Sequence, residues 1–117
     1  MFKKFAFLVL SLPIFLMPTD ANAGATSGYG KITQINVDAG GSAMRVEFDQ
    51  PIVNPDGCGG ADFYIVELNS AGKDRFMSTV LSAFMAGKSV SFWISGCTTG
   101  AYWGATRPLM SDIYVTN

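Results

Sequence analysis

The residues with the most chemistry to offer lie close together in the C-terminal third of the chain. Tyr102, Trp103 and Arg107 fall within the glycine-bearing segment CTTGAYWGATRPLM (97–110), and Trp93 stands just before it among alternating apolar and serine residues. An indole or phenol ring offers a flat surface on which the apolar face of a sugar packs, and an arginine fork takes a carboxylate through two parallel hydrogen bonds. The grouping is therefore a candidate ligand-binding surface for a glycan or for another protein chain. The opposing interpretation is that Trp103 plugs one end of the fold or fills a subunit contact.

Other chemistry is missing. The sequence has no histidine, which removes the commonest general base and the commonest metal ligand. It contains no G-x-S-x-G elbow, phosphate loop or dinucleotide fingerprint. Glu47 and Asp49 share the outward face of a strand, where two solvated carboxylates are the ordinary arrangement. Asp56 and Asp62 lie in or beside a loop that lacks the dense alternating oxygen ligands of a calcium site. The expectation is a non-catalytic chain with no cofactor and no metal. Cys58 and Cys97 are the only two cysteines, and without histidine they make a poor metal pair.

Their compartment is indicated by the other end of the chain. Residues 1–23 carry Lys3 and Lys4, an apolar run over 5–17 and a small-x-small ending at Ala21-Asn22-Ala23, the pattern of a secretory signal peptide. The apolar run is too short for a spanning helix and is broken by Ser11 and Pro13. This predicts a single domain over 24–117, periplasmic or secreted and without stable membrane insertion. Export and an even cysteine count make a Cys58–Cys97 disulfide the default. It would close a loop of about 40 residues, worth on the order of 3–4 kcal/mol to a domain too small to rely on burial alone. Beyond the leader the basic residues are Lys31, Arg45, Lys73, Arg75, Lys88 and Arg107, and acids outnumber them. That is no nucleic-acid footprint.

The elements that must position the aromatic segment are legible from periodicity. Residues 29–37 and 43–48 read as a strand pair around the turn Asp38-Ala-Gly-Gly-Ser42, although 32–37 has no cleanly apolar side, which calls for a bulge or for a strand shared between two packing surfaces. The segment 49–61, with Pro51, Pro55 and three glycines, is a loop. Residues 62–68 form a third strand with both faces covered. Over 74–86, Phe76, Met77, Val80, Leu81, Phe84 and Met85 form one wide helical face, and Gly87 provides the stop. Val90, Phe92 and Ile94 then alternate with polar residues as a fourth strand, and 111–117 closes the chain as a fifth, with Ile113 and Val115 inward and Tyr114 outward. Residues 24–28 read as a frayed lead-in. The order β-β-β-α-β-β predicts a mainly β, OB-fold-like five-stranded barrel with one helix. An α+β sheet carrying its helix on one face is the alternative.

The helix and the strand after it, with Phe76, Val80, Leu81, Phe84, Gly87, Val90, Phe92, Ile94 and Cys97, resemble small exported bacterial domains related to the B subunits of pertussis-like and subtilase-type AB5 toxins. The likeness covers roughly the C-terminal half, and the strand order extends it. It implies an OB-fold, assembly in rings of five and binding of sialylated or other glycans. It transfers no sugar-binding residue to a numbered position here. The chain is shorter than those subunits, and a stand-alone periplasmic or secreted domain fits it equally.

Overall fold

The computed structural model describes residues 24–69 and 71–117; the signal peptide read in 1–23 lies outside the described residues. Six strands and one helix follow in the order β1 (Ala25–Thr26), β2 (Ile32–Val37), β3 (Ala43–Phe48), β4 (Tyr64–Glu67), α1 (Lys73–Ala86), β5 (Ser89–Cys97) and β6 (Pro108–Thr116). They form one sheet in the order β1-β5-β6-β4-β3-β2. All pairings are antiparallel except β4 with β6, which meet in parallel at Ile65 and Leu109. The N-terminal segment lies at both ends of this order, β1 beside β5 and β2 beside β3. Between them Gly30 and Val90 exchange two backbone hydrogen bonds of 2.9 and 2.8 Å. The result is a mainly β fold with a single helix, an open sheet drawn together at its ends with the strand order of an OB-fold.

Local chemistry explains most of the boundaries. The turn between β2 and β3 closes where Asp38 Oδ2 accepts the Ser42 hydroxyl at 2.7 Å and Gly41 N–H donates to the Asp38 carbonyl at 2.8 Å. The mixed faces of β2 come from a register shift between Ile32 and Gln34, the anticipated bulge. α1 starts after Gly72 with no side-chain cap and ends at Gly87 in the left-handed conformation. There Lys88 N–H reaches the Ala83 carbonyl and Gly87 N–H the Phe84 carbonyl, a Schellman ending. Lys31 Nζ donates to the Gly87 carbonyl at 2.8 Å, bringing a cation to the negative helix end.

The main core gathers Met44, Val46, Tyr64, Val80, Val90, Phe92 and Ile94, each without measurable exposure. Phe48, Tyr64 and Phe92 form its aromatic centre, with ring centroids 5.1 to 6.3 Å apart. The Tyr64 hydroxyl accepts Val53 N–H at 3.0 Å, so the one polar atom of a buried ring is satisfied and the 49–63 loop is tied down. β4 is covered on both faces, as its unbroken apolar run requires. On the far side Ala43, Phe63 and Ile65 make a second small core, completed by Tyr102 and Leu109.

Three expectations need correction. The segment before β2 is not frayed: β1 pairs with Trp93 and Ile94, and the buried Ser27 accepts Phe92 N–H on its hydroxyl at 2.8 Å. The helix seats on Val80 and Ala83 with Phe76, Met77 and Phe84 flanking, which leaves Leu81 37% and Met85 80% exposed. The small Ala83 lets the helix approach closely and rotates the buried stripe away from those two. The last strand begins at Pro108, and its Val115 is exposed with Ile113 only half-buried. β6 runs on past its single pairing with β4, so its end has β5 on one side and shares only shallow grooves with α1.

Candidate functional site

The 98–107 loop is built on a crosslink. Cys58 and Cys97 are joined, with Cα atoms 5.6 Å apart and a separation of 39 in sequence. The bond fastens the 49–63 loop to the end of β5, and hydrogen bonds continue the seam. Asp56 Oδ2 accepts Gly96 N–H at 2.7 Å, Gly59 N–H donates to Thr106 Oγ1 at 2.9 Å, and Gly60 N–H donates to the Thr106 carbonyl at 2.9 Å. Such a bond belongs to an oxidising, non-cytoplasmic compartment. No helix among the described residues is long and apolar enough to cross a membrane.

Arg107 pins the loop from beneath. Its side chain is 7% exposed, and its guanidinium donates from Nε to the Tyr102 carbonyl at 3.0 Å, from Nη2 to the Trp103 carbonyl at 2.6 Å and from Nη1 to Asp62 Oδ1 at 2.9 Å. The same group lies 4.2 Å from the centre of the Phe63 ring. Gly60 is required here, because a Cβ at that position would collide with Nη1. The backbone is held too, by Arg107 N–H on Thr98 Oγ1 at 3.0 Å and Thr98 N–H on the Arg107 carbonyl at 2.9 Å.

What Arg107 holds is a tight hairpin turn. Tyr102 and Ala105 pair, and between them Trp103 and Gly104 have φ of 52° and 91°. Two successive positive φ values mark a type I′ turn, which ordinarily selects Asn-Gly or Asp-Gly. An aromatic residue at the first of these positions costs about 1–2 kcal/mol of backbone strain. Trp103 nonetheless sits there with 44% of its surface in water. Its ring meets Phe63 edge-on at 5.7 Å, and the Arg45 guanidinium is 5.2 Å from its centre. Arg45 lies over Phe63 at 4.0 Å and pairs with Glu47.

Beside Trp103 is a shallow depression of about 180 Å³, lined by Asp38, Ala101, Tyr102 and Trp103. Partial withdrawal from water pushes the Tyr102 phenol above its ordinary pKa, and the charge of Glu67 and a hydrogen bond to it push the same way. Tyr102 is thus a neutral phenol at physiological pH. Glu67 Oε2 also accepts Thr99 N–H and Oγ1–H, both at 3.0 Å. Asp38 is held below the usual carboxylate range by the Ser42 hydroxyl, and further by the backbone N–H groups of Gly40 and Ser42. It is an anion at neutral pH.

No family model, curated protein or solved structure matches this chain.

Of the four residues singled out by type, the fold brings three together. Tyr102 and Trp103 form the turn and Arg107 lies under it, facing protein carbonyls. Trp93 stands on another surface. It is 38% exposed on β5, opposite Asp112 of β6 and Thr26 of β1, with its indole over Gly24, where a Cβ would lie 2.7 Å from Nε1. Sequence reasoning missed Arg45, Phe63, Asp38 and Glu67, which reach the hairpin from β3, the segment before β4, the β2–β3 turn and β4. A local signal did exist for the turn: Trp-Gly occupies the place where hairpins carry Asn-Gly.

Proposed function

We propose that this chain is an exported, non-catalytic binding module that presents the Tyr102–Trp103 hairpin to glycans. The observation that carries this reading is Trp103, a bulky aromatic at φ 52° with 44% of its surface exposed. Folding alone gains little from straining a residue in order to leave it in water, whereas a ligand gains a rigid stacking surface that needs no ordering on contact. The Arg107 clamp and the disulfide seam make the platform stiff. Residues 1–23 serve as the signal peptide, and the product is periplasmic or secreted. One shallow site binds weakly, so useful affinity comes from several copies acting together, as in a five-membered ring of the toxin B-subunit kind. The test is a glycan array probed with multivalent protein. Wild type gives signals that Trp103→Ala loses while its far-UV circular dichroism is unchanged, and signals that survive the substitution remove the hairpin from the site.

A second reading, a structural or assembly subunit, is favoured by the exposed end of β6, which shares shallow grooves with α1. Tyr114 and Val115 are 52% and 45% exposed on a strand paired on one side by β5, an arrangement open to pairing with another chain. Native mass spectrometry of wild type and Val115→Lys tests it: an oligomer that the substitution dissociates supports self-assembly along this edge, and a monomeric wild type, or an oligomer unaffected by the substitution, excludes it.

A further inference from the structure

The depression beside Trp103 has a definite charge character. No basic residue lines it, and Asp38 forms part of its wall. Both nearby arginines are committed to carboxylates: Arg107 to Asp62 beneath the turn, with its side chain 7% exposed, and Arg45 to Glu47 through Nε and Nη2, with its side chain 25% exposed. Arg45 also lies over the Phe63 ring at 4.0 Å and 5.2 Å from the centre of the Trp103 ring. An anionic ligand group would therefore approach an aromatic shelf edged by an ionised carboxylate, with no free guanidinium to receive it. A ligand rich in hydroxyl groups meets the opposite situation. An ionised carboxylate only accepts hydrogen bonds, and O–H···O⁻ bonds are among the stronger ones. A volume of about 180 Å³ lies well below that of drug-sized pockets, so it suits one sugar ring rather than an extended oligosaccharide.

We infer that this depression selects a neutral terminal pyranose, its apolar face stacked on Trp103 and its hydroxyl groups donated to Asp38, and disfavours sialylated, sulfated or phosphorylated glycans. The inference rests on the proposed glycan reading and narrows its ligand class, against the sialylated ligands that the toxin B-subunit resemblance implies. A like charge introduced beside Asp38 at about 4 Å weakens binding by roughly five- to tenfold in a solvent-exposed site, and added salt reduces that difference.

The experiment is an array holding matched pairs of neutral glycans and the same cores capped with sialic acid, probed with the full mature protein as wild type and Asp38→Asn. Asparagine retains an oxygen to accept the Ser42 hydroxyl, so the turn is kept. The expected result is a wild-type preference of about five- to tenfold for the neutral member of each pair, weaker neutral binding in Asp38→Asn and near-equal binding of the two members by that variant. A wild type that prefers the sialylated members overturns the inference while leaving the glycan reading in place. Neutral binding unaffected by Asp38→Asn removes Asp38 from the site. Absence of signal from every glycan with multivalent protein ends the glycan reading and the inference with it.

Discussion

Replacing Arg107 by methionine tests how the hairpin is held. The substitution keeps an apolar stem over Phe63 and deletes the guanidinium that donates to the carbonyls of Tyr102 and Trp103 and to Asp62. A hydrogen bond to a charged group contributes about 1.5–3 kcal/mol, so loss of the two carbonyl contacts accounts for most of the effect. The ion pair adds little, because the Asp62 side chain is 72% exposed and exposed pairs contribute about 0–1 kcal/mol. Partial solvation of the freed carbonyls and relaxation of the strained turn return some of this. The expected net loss is about 3 kcal/mol, or roughly 12–24 °C in the unfolding midpoint of a domain this size. Asp62→Asn should cost less than about 1 kcal/mol. Thermal unfolding followed by far-UV circular dichroism measures both, and urea titration gives the free energies. If Arg107→Met unfolds within a few degrees of wild type, or if Asp62→Asn is equally damaging, the clamp assignment is wrong.

The paired replacement Cys58→Ala with Cys97→Ala should lower stability by about 2–5 kcal/mol, and a difference under 1 kcal/mol in urea would contradict a supporting role for the crosslink. On the helix, Val80→Asp should abolish cooperative unfolding by burying an unpaired charge, whereas Met85→Asp should be tolerated; equal thermal midpoints would refute the seating of α1 on Val80 and Ala83. Burial also raises the Tyr64 pKa, with the Val53 contact opposing it. The unfolded chain then releases this proton near pH 10 while the folded one keeps it, so stability should fall as pH rises above about 10. Tyr64→Phe should remove that part of the alkaline slope in urea titrations, and an unchanged slope would assign it to other groups.

How much of this was legible in the sequence depended on how local the cause was. β3, α1 and β5 show their periods and stops within their own residues. The disulfide follows from the even cysteine count together with the leader pattern read in the sequence of residues 1–23. The irregularity of β2 was readable because Ile32 and Ile35 fall on opposite faces, which called for a bulge or for a strand shared between two surfaces, and the register shift decides for the bulge. β1 was not readable: Ala25 and Thr26 carry no apolar signal, and the segment is ordered by the open edge of β5, 65 positions away at the Ser27–Phe92 contact. Leu81 and Met85 belong to the apolar arc but not to its buried part, since Ala83 sets where the helix touches. For the site, residue type located the hairpin but not the direction Arg107 faces. An arginine in a glycine-rich loop can face solvent or protein, and here the absence of a Cβ at Gly60 lets it turn inward. Arg45 alternates outward along β3, and it is half-buried only because a loop distant in sequence folds over it.

Contact between Trp103 and the ligand can be read from the emission of Trp103 itself. The chain has two tryptophans, so Trp93→Phe leaves Trp103 as the single indole. Titration of this variant with the strongest array glycan should give a saturable change in intensity and a blue shift, with the same midpoint as binding followed by calorimetry. Calorimetric binding with no change in Trp103 emission would place the ligand away from Trp103.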